Sequence, residues 1–121
     1  MDRCPELLDL EVFFGSSAKA RYGNDGGWYY DHLTFRRSDR DETVVVTMEP
    51  AEGAVSVLHT RAGTEILNIS LQHVSALDIE SSAGTQVLVG RVDSTRMEQL
   101  FKLQITPEFR FSLVTSLPTL E

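Results

Sequence analysis

The densest group of chemically capable side chains in this sequence is Trp28-Tyr29-Tyr30-Asp31-His32. A histidine next to a carboxylate and two phenols has the residue types of a general base with an orienting acid, as in nuclease or lyase sites. If the run enters a strand, Asp31 and His32 point to opposite faces, so the acid cannot orient its own neighbour. The bland alternative has Trp28, Tyr29 and Tyr30 begin a strand and cover an end of the core, with the Tyr hydroxyls reaching water. His59 and His73 fall on other predicted strands and lack the paired spacing of a metal centre; parity puts His32 on a wet face and the other two with buried neighbours. No serine-centred elbow or zinc-protease helix appears, and Gly23 to Gly27 lacks the lysine and the following apolar helix of a phosphate cradle. Cys4 has only Arg3 beside it to lower its pKa and reads as an incidental thiol near a frayed chain end. The expectation is no catalytic set, no metal and no cofactor.

Charge supplies the other chemistry. The chain has 18 Asp+Glu against 11 Lys+Arg, a net charge of −7. That sign disfavours nucleic acid, whose affinity comes from cations that release counterions, and it disfavours anionic membranes. Residues 1–14 hold Asp2, Glu6, Asp9 and Glu11 against Arg3, so the remaining acids are spread over hairpins and turns. Such acids serve solubility, or they steer a basic protein partner by charge complementarity. The candidate partner-binding set is Asp39, Asp41, Glu42, Glu49 and Glu52, with the aromatic Trp28 and Tyr30.

These residues need a scaffold, and the apolar periodicity describes one. From Leu33 onward apolar residues recur at every second position and are cut by short polar clusters, the signature of antiparallel strands joined by hairpins. Leu33 and Phe35, Val44 to Met48, Val55 and Val57, and Leu67, Ile69 and Leu71 each mark a strand. Leu77 and Ile79 continue the parity beyond a bend or bulge at Val74-Ser75-Ala76. Thr85 to Val92 carries Val87 and Val89, with Leu88 between them and Gly90 after them, which predicts burial on both faces or a close backbone approach. Between Met97 and Thr106 the Thr95/Glu98 capping-box spacing favours a helix, but Phe101, Leu103 and Ile105 alternate and Pro107 stops the run, so a strand is expected. A last strand holds Phe109, Phe111 and Leu113, and Pro118 closes it.

The fold class is therefore mainly β: an antiparallel meander closing as a sandwich or half-open barrel of about seven or eight strands, with one short N-terminal helix. The helix rests on Pro5 at its start, on the stripe Leu7, Leu10, Phe14, and on Gly15 at its end, while Leu8, Leu10, Val12 and Phe14 also alternate as a strand would, so residues 5–14 stay open between helix and strand. The expected core is Leu33, Phe35, Val44, Val46, Leu67, Ile69, Leu71, Val87, Val89, Leu103, Ile105, Phe109 and Phe111. All but Val44 and Val46 are odd-numbered, as if turns of even length preserve parity. A length of 121 residues predicts one domain, residues 1–121, with a helix-and-loop lead-in over 1–31 and a β body over 32–117. Gly23-Asn24-Asp25-Gly26-Gly27 is its most flexible loop. The start Met1-Asp2-Arg3-Cys4-Pro5-Glu6 does not resemble a secretory signal and no apolar stretch spans a bilayer, so a cytoplasmic location is expected.

The order of these features resembles small bacterial immunity-type proteins of contact-dependent and polymorphic toxin systems. What carries the resemblance is an amphipathic N-terminal segment ending in Phe13-Phe14-Gly15, a loop, Asp31-His32 opening the first strand, and a meander of short strands. It implies a non-enzymatic protein that binds a cognate toxin domain, often basic, and blocks its active site or substrate access. Two other readings stay open. One is a small-molecule-binding barrel or enzyme subunit with an apolar pocket near Trp28, Tyr30 and His32. The other is a homo-oligomeric module marked by an exposed apolar strand edge. Monomer and homodimer are equally compatible with the sequence.

Overall fold

The computed structural model describes residues 1–23, 26–93 and 98–116. Asn24-Asp25 of the glycine-rich loop, Thr95 of the capping-box spacing, Met97 and Pro118 lie outside the described residues. The chain gathers into two compact units, one over Glu6–Gln72 and one joining Met1–Pro5 to the residues from His73 onward.

The first unit begins with helix α1 (Leu7–Phe14), which buries Leu10, Phe13 and Phe14. Gly15 ends it in the left-handed conformation (φ 67°), where glycine carries no steric penalty, and its N–H caps carbonyls of the last turn. Phe14 stacks on Phe35 with ring centroids 4.4 Å apart, which fixes the helix on the sheet. That sheet is antiparallel, in the order β1 (Lys19–Ala20), β2 (Leu33–Asp39), β3 (Glu42–Glu49), β4 (Ala54–Arg61), β5 (Thr64–Leu71). Its inner face buries Leu33, Phe35, Val44, Val46, Met48, Val55, Val57 and Leu71, each stabilising by about 1.5–3 kcal/mol relative to exposure. Leu67 and Ile69 are only half-buried because β5 is an edge strand, with a neighbour on one side alone.

The second unit is a four-stranded antiparallel sheet in the order β6 (Val74–Ser82), β7 (Thr85–Asp93), β8 (Glu98–Gln104), β9 (Arg110–Ser116). The expected bulge appears as a register shift between Val74 and Ala76. The N-terminus is tied down: Arg3 bridges in parallel to Ala76, and the Leu77 N–H donates to the Arg3 carbonyl at 2.8 Å. The close approach expected at Gly90 is present, since a Cβ there would lie 2.0 Å from the Phe101 ring.

The mainly β class, the antiparallel meander and the N-terminal helix all hold, in two open sheets and no closed barrel. The strand count rises to nine among the described residues because β1, only Lys19–Ala20, has no periodicity to read. The core of β7 is corrected: Leu88 and Val92 are buried, whereas Val87 and Val89 are half-buried, as are Phe109 and Phe111. The structure reverses the parity expectation: even-length turns switch parity and do not preserve it. Across an even-length hairpin loop the facing residues differ by an odd number (Asp39 and Glu42 across two residues, Glu49 and Ala54 across four), so the inward set switches between odd and even numbers. Phe35 thus faces Val46 and Val46 faces Val57. A register shift between His59 and Thr60 then keeps β5 odd, with Val57 opposite Ile69. The Ala83-Gly84 turn switches parity again, placing Leu77 opposite Gly90.

Candidate interaction face

The outward positions of the five-stranded sheet form rows across the strands. One row runs Lys19, Thr34, Thr47, Ser56, Ser70, each residue opposite the next in register. Alternation on one buried face dictates this: the residues between inward apolar side chains all point the other way, and at this level four consecutive strands supply a hydroxyl. At about 4.8 Å between strands the row spans roughly 19 Å. Thr47 Oγ1 and Ser56 Oγ are hydrogen-bonded to each other.

His32 stands at one side of this row. Its Nδ1 lies 2.7 Å from Glu49 Oε1, with the two side chains 26% and 42% exposed. The register that sets Leu33 opposite Met48 brings His32 to Glu49, and this was the signal available in the sequence: the residue preceding β2 faces the residue ending β3. A groove of about 490 Å³ opens there, lined by His32, Thr47, Met48, Glu49, Glu52, Ala54, Val55, Ser56, Ser70 and Gln72.

Asp31 serves its own loop. It is 4% exposed, and its Oδ1 accepts the N–H of Tyr22 at 3.0 Å and that of His32 at 2.7 Å. Asp31 and His32 both precede β2, and the Asp31 bond to His32 is to its backbone N–H. Trp28–Tyr30 form one turn of 3₁₀ helix rather than the start of a strand, with edge-on contacts from Trp28 to Tyr29 and from Tyr29 to Tyr30. Tyr30 is 73% exposed. A hollow of about 210 Å³ beside it is lined by Arg21, Tyr22, Tyr30, Asp31, His32, Glu49, Ala51 and Glu52, a mostly polar set and not the apolar pocket that a small-molecule barrel calls for.

The candidate partner-binding residues separate into two groups. Tyr30, Glu49 and Glu52 line hollows shared with His32, and Trp28 belongs to the same 3₁₀ turn as Tyr30, whereas Asp39, Asp41 and Glu42 occupy the β2–β3 hairpin at the other end of β3. Seven strand positions separate Glu42 from Glu49, roughly 23 Å at 3.3 Å per residue. Glu42 is already engaged: its Oε1 accepts from Arg61 Nε at 2.8 Å and Nη2 at 2.5 Å, and His59 Nε2 lies 3.5 Å away. The Arg61 hydrogen bond holds the Glu42 carboxyl below its usual range, against a partial desolvation that pushes it up, and the same bond raises Arg61. His59 is 5% exposed, as its parity predicts. His73 is exposed, with φ 61°, because it lies in the connector between β5 and β6 and not on a strand.

Elsewhere, the Ser75 hydroxyl and then Arg91 lower the Asp93 carboxyl. Among the described residues no three His, Cys, Asp or Glu side chains converge as a metal site, and no helix is long and apolar enough to cross a membrane.

No family model matches this chain, and no curated protein matches it. A solved structure does: a chain of a contact-dependent growth inhibition toxin–immunity protein complex from Klebsiella pneumoniae 342, with a TM-score of 0.81 over 95% of this chain and 97% of that one. At 15% identity this is a likeness of fold. It agrees with the layout that begins at Phe13-Phe14-Gly15.

Proposed function

We propose that this chain is an immunity-type binding protein that associates with a cationic toxin domain in the cytoplasm and blocks it. The observation that carries the reading is the fold shared over nearly the whole length with a chain of a toxin–immunity complex. Such a complex contains an attacking and a protecting chain, and two features favour the protecting role. The net charge of −7 suits association with a basic partner and not with nucleic acid. The most active-looking side chains, Asp31 and His32, are engaged in a loop hydrogen bond and in a cross-strand pair with Glu49.

On this reading the aromatic and acidic group around Trp28, Tyr30, Glu49 and Glu52 forms the binding face, and Asp39 and Asp41 add long-range attraction. The test is to express this chain with the toxin domain encoded beside its gene. Growth rescued and a complex that co-purifies, with association slowing as salt rises, is the expected result. Growth arrest unaffected by this chain, with no complex at low salt, overturns the proposal.

A further inference from the structure

We infer that the trough along the hydroxyl row is filled by an extended segment of the partner carrying charges of both signs, a lysine or arginine toward Glu49 and Glu52 and an acid toward Lys19 and Arg21. This deepens the immunity reading and rests on it for the identity of the partner.

Three observations support it. The first is the sign of the walls. The groove of about 490 Å³ includes Glu49 and Glu52 and no Lys or Arg, whereas the neighbouring hollow of about 460 Å³ is lined by Lys19, Ala20, Arg21, His32 and Thr34. The two share His32, and Arg21 meets Glu49 and Glu52 in the hollow of about 210 Å³ beside Tyr30, so the basic and acidic walls adjoin at that ring.

The second is which charges are left over. Arg3, Arg61, Arg91 and Arg110 each have a carboxylate partner within the fold, whereas among the described residues Arg36, Arg37, Arg40 and Lys102, outside the trough's lining, have none. Among the described residues Lys19, Arg21 and Glu52 have no ion-pair partner, and Glu49 gives only Oε1 to His32, leaving Oε2 for an incoming cation. Uncompensated charges of opposite sign, with Lys19 on β1 two strands from Glu49 on β3, complement a dipolar segment better than a single ion.

The third is the floor. Thr34, Thr47, Ser56 and Ser70 offer hydroxyls that both donate and accept, so they can serve the peptide N–H and C=O groups of a segment lying across them. Roughly 19 Å accommodates about six extended residues.

The experiment is an amide-resolved NMR titration of the whole chain with acetylated, amidated hexapeptides. One contains Asp and Arg; a second has citrulline for Arg; a third has Asn for Asp; free arginine amide is the small-molecule control. The first peptide is expected to shift the amides of His32, Thr47, Ser56 and Ser70, and each charge removal to weaken it by about fivefold, the most that a half-exposed ion pair supplies. Glu52→Gln, at an exposed position, is expected to weaken the Arg peptide and leave the citrulline peptide unchanged. Equal response to citrulline, shifts located elsewhere, or arginine amide binding as tightly as the peptide each overturn the inference. A chain that rescues growth yet shows no such selectivity keeps the immunity reading and loses the trough. One that selects these peptides but protects against no toxin keeps the trough and loses the immunity reading.

Discussion

Replacing Gly90 with alanine tests the packing logic of the four-stranded sheet. Gly90 is directly opposite Phe101, whose ring lies across its Cα. An added Cβ would sit 2.0 Å from Cε1, 2.1 Å from Cζ and 2.8 Å from Cδ1. Carbon atoms rest at about 3.5–4.0 Å, so the ring must retreat by roughly 1.5 Å. It has little room, being fully buried and stacked at 6.1 Å on Phe111. Overpacking of this kind costs about 1–3 kcal/mol, against about 0.5–1 kcal/mol recovered because alanine loses less backbone entropy in a strand. With so deep an overlap the net loss should lie near 2 kcal/mol. In urea unfolding that is a midpoint lowered by about 1 M at unchanged slope. The cause can be isolated. In a Phe101→Leu background the same Gly90→Ala change should be close to neutral or stabilising, giving a coupling of about 1–3 kcal/mol in the double-mutant cycle. If the two substitutions add within about 0.5 kcal/mol, the ring is not what excludes a side chain from position 90 and the reasoning fails.

Other perturbations separate the remaining claims. Ala62 and Ala83 stand at positive φ (50° and 51°) in exposed hairpin turns, where asparagine is at home; Ala62→Asn and Ala83→Asn should each raise stability by about 0.5–1 kcal/mol in thermal unfolding, and a loss would contradict the turn geometry. Phe14→Ala should lose about 3–5 kcal/mol, since it empties a buried site stacked on Phe35; a loss below about 1 kcal/mol would mean that the helix is not anchored there. Glu42 has a carboxyl lowered from 4.5 by Arg61, so its contribution is fully present above 4.5 and disappears as pH falls through the folded value. The difference in urea midpoint between the native chain and Glu42→Gln should therefore be constant at neutral pH and vanish on acidification; a difference that persists in acid would rule out the ion pair as its source.

What could be read from the sequence was set by what alternation encodes. Alternation reports which face of a strand is buried, and so it located the strands from Leu33 to Phe111; before Gly15 it competed with the helical stripe Leu7, Leu10, Phe14, and the structure decides for the helix. It does not report how strands pair, because pairing depends on loop lengths and bulges. That is why Val87 and Val89 were assigned to the core in place of Leu88, whose two neighbours are equally apolar. β1 has two residues and no period at all, yet Lys19 ends the hydroxyl row. The His32–Glu49 contact spans 17 positions and follows only once β2 and β3 are in register. Gly90 was legible because a glycine in an apolar strand has few explanations other than a close approach.

The separation of the acids along β3 changes how a charge-steering experiment must be designed. Reversing Asp39, Asp41 and Glu42 together treats them as equivalent, and the structure makes them different. Asp39 and Asp41 are exposed at the hairpin, whereas Glu42 shares one carboxylate oxygen between two Arg61 nitrogens and lies within reach of the buried His59. Lysine at position 42 would set two cations side by side and weaken the fold near the β3–β4 pairing, so slower association could follow from lost structure. Asp39→Lys with Asp41→Lys changes the field by four charges and leaves that pair in place. Electrostatic steering then predicts a lower association rate, a shallower salt dependence and an unchanged dissociation rate. Glu49→Gln and Glu52→Gln should show the opposite pattern, because they act at contact and not at range: faster dissociation with nearly unchanged association. If the hairpin substitutions speed dissociation instead, the tip is itself in the interface, and the two ends of β3 belong to one contact surface rather than to a steering patch and a binding groove.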